Sequence, residues 1–214
     1  LANCFFDSDT AEKKLQELPL DKESNMTRYN FFHANYLLNK KNKIKALEII
    51  NNASKNHPNN LLINQLQETT NKNEKNLNEF NCKNKNHVVA EIFYVTANAI
   101  SVQNNFDLSN FYINLAKYLN PNFSSYNSLL AENYVYIKKY NQAKQMFNKL
   151  ILIGSVYEWH AKKQITNILE EEGNTEEALN FLTKGYKNIN PGIYEIYDFA
   201  NFLKNQKKYN QSIN

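Results

Sequence analysis

The sequence predicts an all-α fold, a solenoid of stacked antiparallel helix hairpins. Three observations predict it: a recurring pair of small residues, large apolar residues in phase with that pair, and polar turns between. Five times a small or short residue is followed twelve positions later by another: Ala34 with Ala46, Ala97 with Ser109, Ala131 with Ala143, Thr166 with Ala178, and Ala200 with Ser212. Three residues after each first member stands Leu37, Ile100, Tyr134, Leu169 or Leu203, and four after the second comes Ile50, Ile113, Phe147 or Leu182. The last four pairs are 34, 35 and 34 residues apart, and the first two are 63 apart. Offsets of three, four and seven fall on one stripe of a helix. Small residues on that stripe let a neighbouring helix approach closely. Twelve residues hold the end of one helix, a turn and the start of the next, so each pair makes a hairpin with a small-residue seam.

From the N-terminus, Leu1 to Phe6 fits the tail of a helix, and a second helix is expected near 9–18, stopped by Pro19. The first full hairpin follows at 26–39 and 43–56, turning at Asn39–Lys43 and closed by Pro58. A helix near 60–72 leads into the run Asn71 to Asn86, nearly all Asn, Lys and Glu, which reads as a mobile polar loop. Helices are then expected at 87–103, 106–119, 124–137, 140–152, 156–172, 175–188 and 192–205. The turns between them fall at Gln103–Asp107, Lys138–Asn141, Glu172–Asn174 and Gln206–Tyr209. Pro121 and Pro191 each follow a second helix, and proline cannot continue one. The domain layout is therefore hairpins over 1–60 with an incomplete first unit, an irregular helix and loop over 61–89, and an array over 90–214 with a truncated last unit. Arrays end in polar caps that cover the last apolar face. Neither end reads as one, so the chain is expected to be a piece of a longer protein.

At Phe93, Ala97, Ile100, Ser109, Ile113, Ala116 and Pro121 the chain resembles the tetratricopeptide repeat family position by position, and it does so again at Ala34, Leu37, Ala46, Ile50, Ala53 and Pro58. The resemblance covers roughly residues 1–60 and 90–214, and several units agree in phase. The run from 90 onward is also similar to large bacterial repeat proteins of alphaproteobacteria. The resemblance implies a right-handed superhelix whose first helices line a concave groove for a peptide or protein partner. Residues off the seam would face that partner. One row is Phe31, Tyr94, Ser128, Lys163 and Tyr197; four residues on lies a second, Asn35, Asn98, Glu132, Asn167 and Asn201. Asn side chains offer donor and acceptor to a peptide backbone, and the two tyrosines add apolar area with a polar tip. Some members of the family hold a partner's C-terminal carboxylate with Lys and Asn. Lys163 and Asn167 resemble one corner of that clamp, but Asp198 and Tyr194 stand where further Asn and basic groups belong, so the clamp is incomplete.

Little in the chain suggests chemistry. His33, His57, His87 and His160 have no partner at metal-ligand spacing. His33 reads as a core or seam residue, and His57 and His87 as turn residues. Glycine occurs only at 154, 173, 185 and 192, which leaves nothing to build a phosphate loop from. The triplet Glu170 to Glu172 reads as a solvated surface. Cys4 and Cys82 form no C-x-x-C pair and set no redox compartment. Phe147, Tyr118, Phe181 and Phe199 read as core, and Tyr157 and Trp159 as packing between repeats. The net charge of +4 comes from Lys interspersed with Glu, and Arg28 is the sole arginine. That reads as solvated helix faces in an AT-rich composition rather than a nucleic-acid footprint. The longest apolar stretch, Leu150 to Ile153, is too short to span a bilayer. The expectation is a non-enzymatic scaffold or adaptor with no cofactor, no metal and a protein or peptide partner. Two alternatives stand beside it: the regulatory or substrate-recruiting arm of a larger enzyme whose catalytic domain lies outside this segment, and an RNA-binding repeat.

Overall fold

The computed structural model describes residues 2–6, 10–17, 27–74 and 79–213, and every regular element among the described residues is an α-helix. The expected stop at Pro19 and residues 75–78 of the polar run lie outside them. The helices fall in two compact units. The N-terminal unit, Leu1–Lys138, holds α1 (Ala2–Phe5), α2 (Ala11–Glu17), α3 (Thr27–Asn39), α4 (Lys43–Asn56), α5 (Leu61–Asn71), α6 (Lys85–Val102), α7 (Phe106–Leu119) and α8 (Ser124–Tyr136). The C-terminal unit, Lys139–Asn214, holds α9 (Tyr140–Ile151), α10 (Ser155–Glu171), α11 (Thr175–Lys187), α12 (Ile193–Asn205) and α13 (Tyr209–Ile213).

Within each unit the helices stack as pairs, in the tetratricopeptide-like manner. In the N-terminal unit α3 packs on α4, and α5 closes against both; α6 packs on α7, and α8 closes that pair. In the C-terminal unit α10 packs between α9 and α11, and α12 pairs with α13. The seam explains the close approach. Ala34, Ala46, Ala97, Ser109, Ala131, Ala143, Thr166 and Ala178 have no solvent-exposed surface, whereas Ala200 and Ser212 are half-buried. Ser109 also ties its hairpin, its Oγ donating to the Ala97 carbonyl at 2.8 Å. Fully buried Asn133 of α8 donates to Ser109 Oγ and Asn110 Oδ1, each at 2.9 Å, and accepts from Ser101 Oγ at 2.6 Å. A buried amide with each of its groups engaged fixes α8 on the α6–α7 pair rather than weakening the core.

The turns repeat as faithfully as the seam. Lys41, Asn104, Lys138, Gly173 and Lys207 all have positive φ, at intervals of 63, 34, 35 and 34 residues, the seam's own spacing. At such a position the chain reverses while its N–H groups reach back to the last helical carbonyls, as Asn42 N does to Leu37 O and Asn174 N to Leu169 O. Asparagine caps four helices, α4 and α7 after such turns and α5 and α6 elsewhere. Asn42, Asn60, Asn84 and Asn105 each accept a backbone N–H with the side-chain oxygen, so part of the compositional bias has a local use.

Several expectations are corrected. Tyr118 is 86% exposed, because it lies on the side of α7 opposite the buried stripe of Ser109, Ile113 and Ala116. Phe147 is fully buried, while Phe181 and Phe199 are half-buried. Trp159 packs with Leu182 and Phe202, as packing between pairs requires. His87 sits in the first turn of α6, not in a loop. Cys4 and Cys82 are joined in a disulfide with Cα atoms 5.8 Å apart, which fastens α1 to the segment before α6. That segment is no free loop: Glu79 and Phe80 are 7% and 4% exposed.

Candidate functional site

Arg28 stands in the first turn of α3, its side chain 18% exposed. Its Nε and Nη2 donate to Glu91 Oε1 and Oε2, each at 2.5 Å, so α3 and α6 share a two-pronged ion pair. The guanidinium carbon is 3.9 Å from the Tyr94 ring centre, 4.7 Å from that of Phe123 and 5.5 Å from that of Phe32. Burial works against the charge, but the Glu91 hydrogen bonds outweigh it and hold the group above its ordinary range. Tyr126, which is fully buried, packs on Tyr94 with ring centres 5.3 Å apart and planes tilted by 38°, and burial pushes its phenol upward. Glu79 faces the same region. Burial pushes its carboxyl up to about 7, against the opposing effects of a Ser124 hydroxyl bond and the Arg28 charge.

Residues 79–81 have no regular secondary structure, yet the groups of their backbone are gripped by side chains from three places. Asn120, just after α7, donates Nδ2–H to the Glu79 carbonyl at 2.8 Å. Asn35 of α3 donates to the Phe80 carbonyl at 2.9 Å. Nδ1 of His87 on α6 accepts the Asn81 N–H at 3.0 Å. The Phe80 ring enters an aromatic pocket, 4.4 Å from the Phe32 centroid and 6.1 Å from those of Phe123 and His87. The Glu79 carboxylate accepts from Ser124 Oγ at 3.1 Å. Beyond Cys82 an open cleft of about 520 Å³ continues between Tyr36, Lys40, Lys83 and His87.

The residues expected to face a partner are divided by this arrangement. Phe31 is 5% exposed and stacks on Phe123, because α3 is covered here by the start of α8 and by Phe80; it belongs to the interior. Asn35 is likewise buried, and its partner is the chain itself. Tyr94 is half-buried against Arg28, whereas Asn98 is exposed. Ser128 donates to exposed Glu132 at 3.4 Å. In the C-terminal unit, Lys163 Nζ bonds Asp198 Oδ2 at 2.6 Å, and Trp159 Nε1 donates to the same oxygen at 3.1 Å. The cation that would meet a partner's carboxylate is therefore already paired. Asn167 is exposed and Asn201 half-buried; Tyr197 is 68% exposed. It stands with Ile193, Tyr194 and Ile196, exposed by 77%, 59% and 49%, on the first helix of the α12–α13 pair. The acidic triplet is engaged too: Glu170 accepts from Gln206, Glu171 from Tyr140, and Glu172 from Lys144 at 2.9 Å. His160 is pushed down to about 4 by burial, aided by the Lys163 charge.

Arg28, Glu79, Phe80, Asn120 and Ser124 did not stand out by repeat phase. The one available signal was rarity: a lone arginine, and an aromatic within an Asn- and Lys-rich run. Among the described residues, no cluster of three or more His, Cys, Asp or Glu is placed to hold a metal ion, and no helix is long and apolar enough to cross a membrane.

No family model matches the chain, and no curated protein matches it. Among solved structures it is similar to one described as "Functional Characterization of Pseudomonas Aeruginosa pilF", at 12% identity and a TM-score of 0.42, over 87% of this chain and 86% of that one. A likeness that slight carries no function.

Proposed function

We propose that this chain is a non-catalytic scaffold that binds a protein or peptide through side chains of its first helices. The observation that carries the reading is the exposed face of α12, where Ile193, Tyr194, Ile196 and Tyr197 stand in water. Contiguous exposed apolar area rimmed by polar groups is a mark of protein contact, and tyrosine is among the residues that dominate such contacts. Exposed Asn98 and Asn167 and half-buried Asn201, on the first helices of their pairs, can add hydrogen bonds to a partner's backbone. The sole arginine is engaged with Glu91, which takes away the side chain best suited to phosphate and base contacts and favours a protein partner over a nucleic acid. Tyr94 contributes through the surface left to it by Arg28.

Affinity capture with the full-length protein from its own organism, followed by direct titration of the captured protein, tests this. Tyr194→Ala and Tyr197→Ala should each weaken binding by about 2 kcal/mol, as a contact hot spot does. Tyr118→Ala, more exposed than either but on the second helix of its pair, should change nothing. Equal affinity for all three variants contradicts the reading.

A further inference from the structure

We infer that the face formed by Asn35, Asn120, Phe32, Phe123 and Ser124 is a peptide-binding site for a segment with a hydrogen-bond-accepting side chain directly before an aromatic one, and that residues 79–81 occupy it in cis. The inference rests on the scaffold reading and names the ligand class for the N-terminal unit.

Three features separate this from ordinary core packing. First, the contacts read a backbone. Two consecutive carbonyls, those of Glu79 and Phe80, are each taken by an Asn amide, and the next N–H by an imidazole. Side chains that bind main-chain groups accept any sequence of suitable shape, which is how peptide sites supply affinity independent of sequence. Second, the two side chains that would confer specificity sit in distinct places. The Phe80 ring lies between Phe32 and Phe123, and the Glu79 carboxylate meets the Ser124 hydroxyl with the Arg28 charge nearby. Third, the occupant belongs to no helix, so no helical hydrogen bond has to break for another segment to replace it. The Cys4–Cys82 bond holds the occupant from its far side, which keeps its effective concentration at the site high.

The test uses the full chain with Phe80→Ala, which removes the anchor but leaves the site. The probe is a capped five-residue peptide of residues 79–83 carrying Cys82→Ser. With a Kd of about 0.1 mM, 2 mM peptide should raise the variant's thermal midpoint by about 4 °C. The same peptide carrying Phe80→Ala should give no rise, and wild type, its site filled, should not respond. If the Phe80→Ala chain is unfolded at 20 °C, the peptide should restore its far-UV helical signal. Adding Asn35→Leu to the variant should abolish either response. No shift and no recovery at 2 mM, or an equal response to both peptides, overturns the inference. Neither outcome bears on the α12 titration above, so failure here and failure of the scaffold reading are told apart.

Discussion

Replacing Arg28 with alanine should be among the most damaging single changes to the N-terminal unit. Glu91 is 2% exposed, and its carboxylate has both oxygens on the Arg28 fork at 2.5 Å. Removing the arginine leaves that charge in the interior without a partner, which costs about 3–5 kcal/mol. Loss of the stack on Tyr94 adds about 1 kcal/mol to the lower figure. A total of about 4 kcal/mol should shift the urea midpoint by about 2 M, for a slope of about 2 kcal/mol per molar. Arg28→Lys keeps a charge but not the planar fork, so its cost should fall near 2 kcal/mol. Arg28→Leu combined with Glu91→Leu leaves no unpaired ion and should cost less than either single change. Urea unfolding followed by far-UV circular dichroism at pH 7 measures all of them. A loss below 1 kcal/mol for Arg28→Ala, or a double variant as unstable as the single one, would refute the reasoning.

Other expectations follow from the same geometry. Glu79 titrates near 7 when folded and near 4.5 as a free side chain, so its contribution is full below about pH 4.5 and is lost as the pH rises through 7. The stability of wild type relative to Glu79→Gln should therefore fall by about 3 kcal/mol between pH 4.5 and 8; a difference that stays flat with pH would show that Glu79 is not buried as described. Gly173 has φ +83° and open space within 4 Å of where a Cβ would stand, so Gly173→Ala should cost about 1 kcal/mol through the backbone alone. Lys207 occupies the equivalent turn with φ 58°, and Lys207→Gly should stabilise by a few tenths to about 1 kcal/mol, read as a rise in thermal midpoint.

The helices were legible because their signal is local and repeated. Ala97, Ile100, Ser109 and Ile113 announce a hairpin by spacing alone, and the expected 106–119 agrees with α7. Boundaries slipped where a cap decided them: α6 begins at Lys85 rather than near 87, because Asn84 starts it. Tyr118 misled because aromatic character was read without its angle around α7. The face that holds Glu79 and Phe80 was hidden for a different reason. One phenylalanine in a polar run is averaged away by any window, and its burial depends on Phe32 and Phe123, far away in sequence. The partner of Cys4 stands 78 residues on, beyond any local pattern. The chemistry expected of an Asn row, an amide on a peptide carbonyl, is present at Asn35, but the carbonyl is the chain's own.

Stacking through small side chains is the claim on which the rest depends, and one pair of variants tests it with the least ambiguity. Ala97 is fully buried on the seam of α6, and Ala99, two residues on, faces solvent on the same helix. Both changes to leucine are alike in helix propensity, so the comparison isolates the helix contact. Ala97→Leu should lose about 3 kcal/mol to overpacking, and Ala99→Leu less than about 0.5 kcal/mol. Equal losses at the two positions, or a seam that accepts leucine at no cost, would contradict the account.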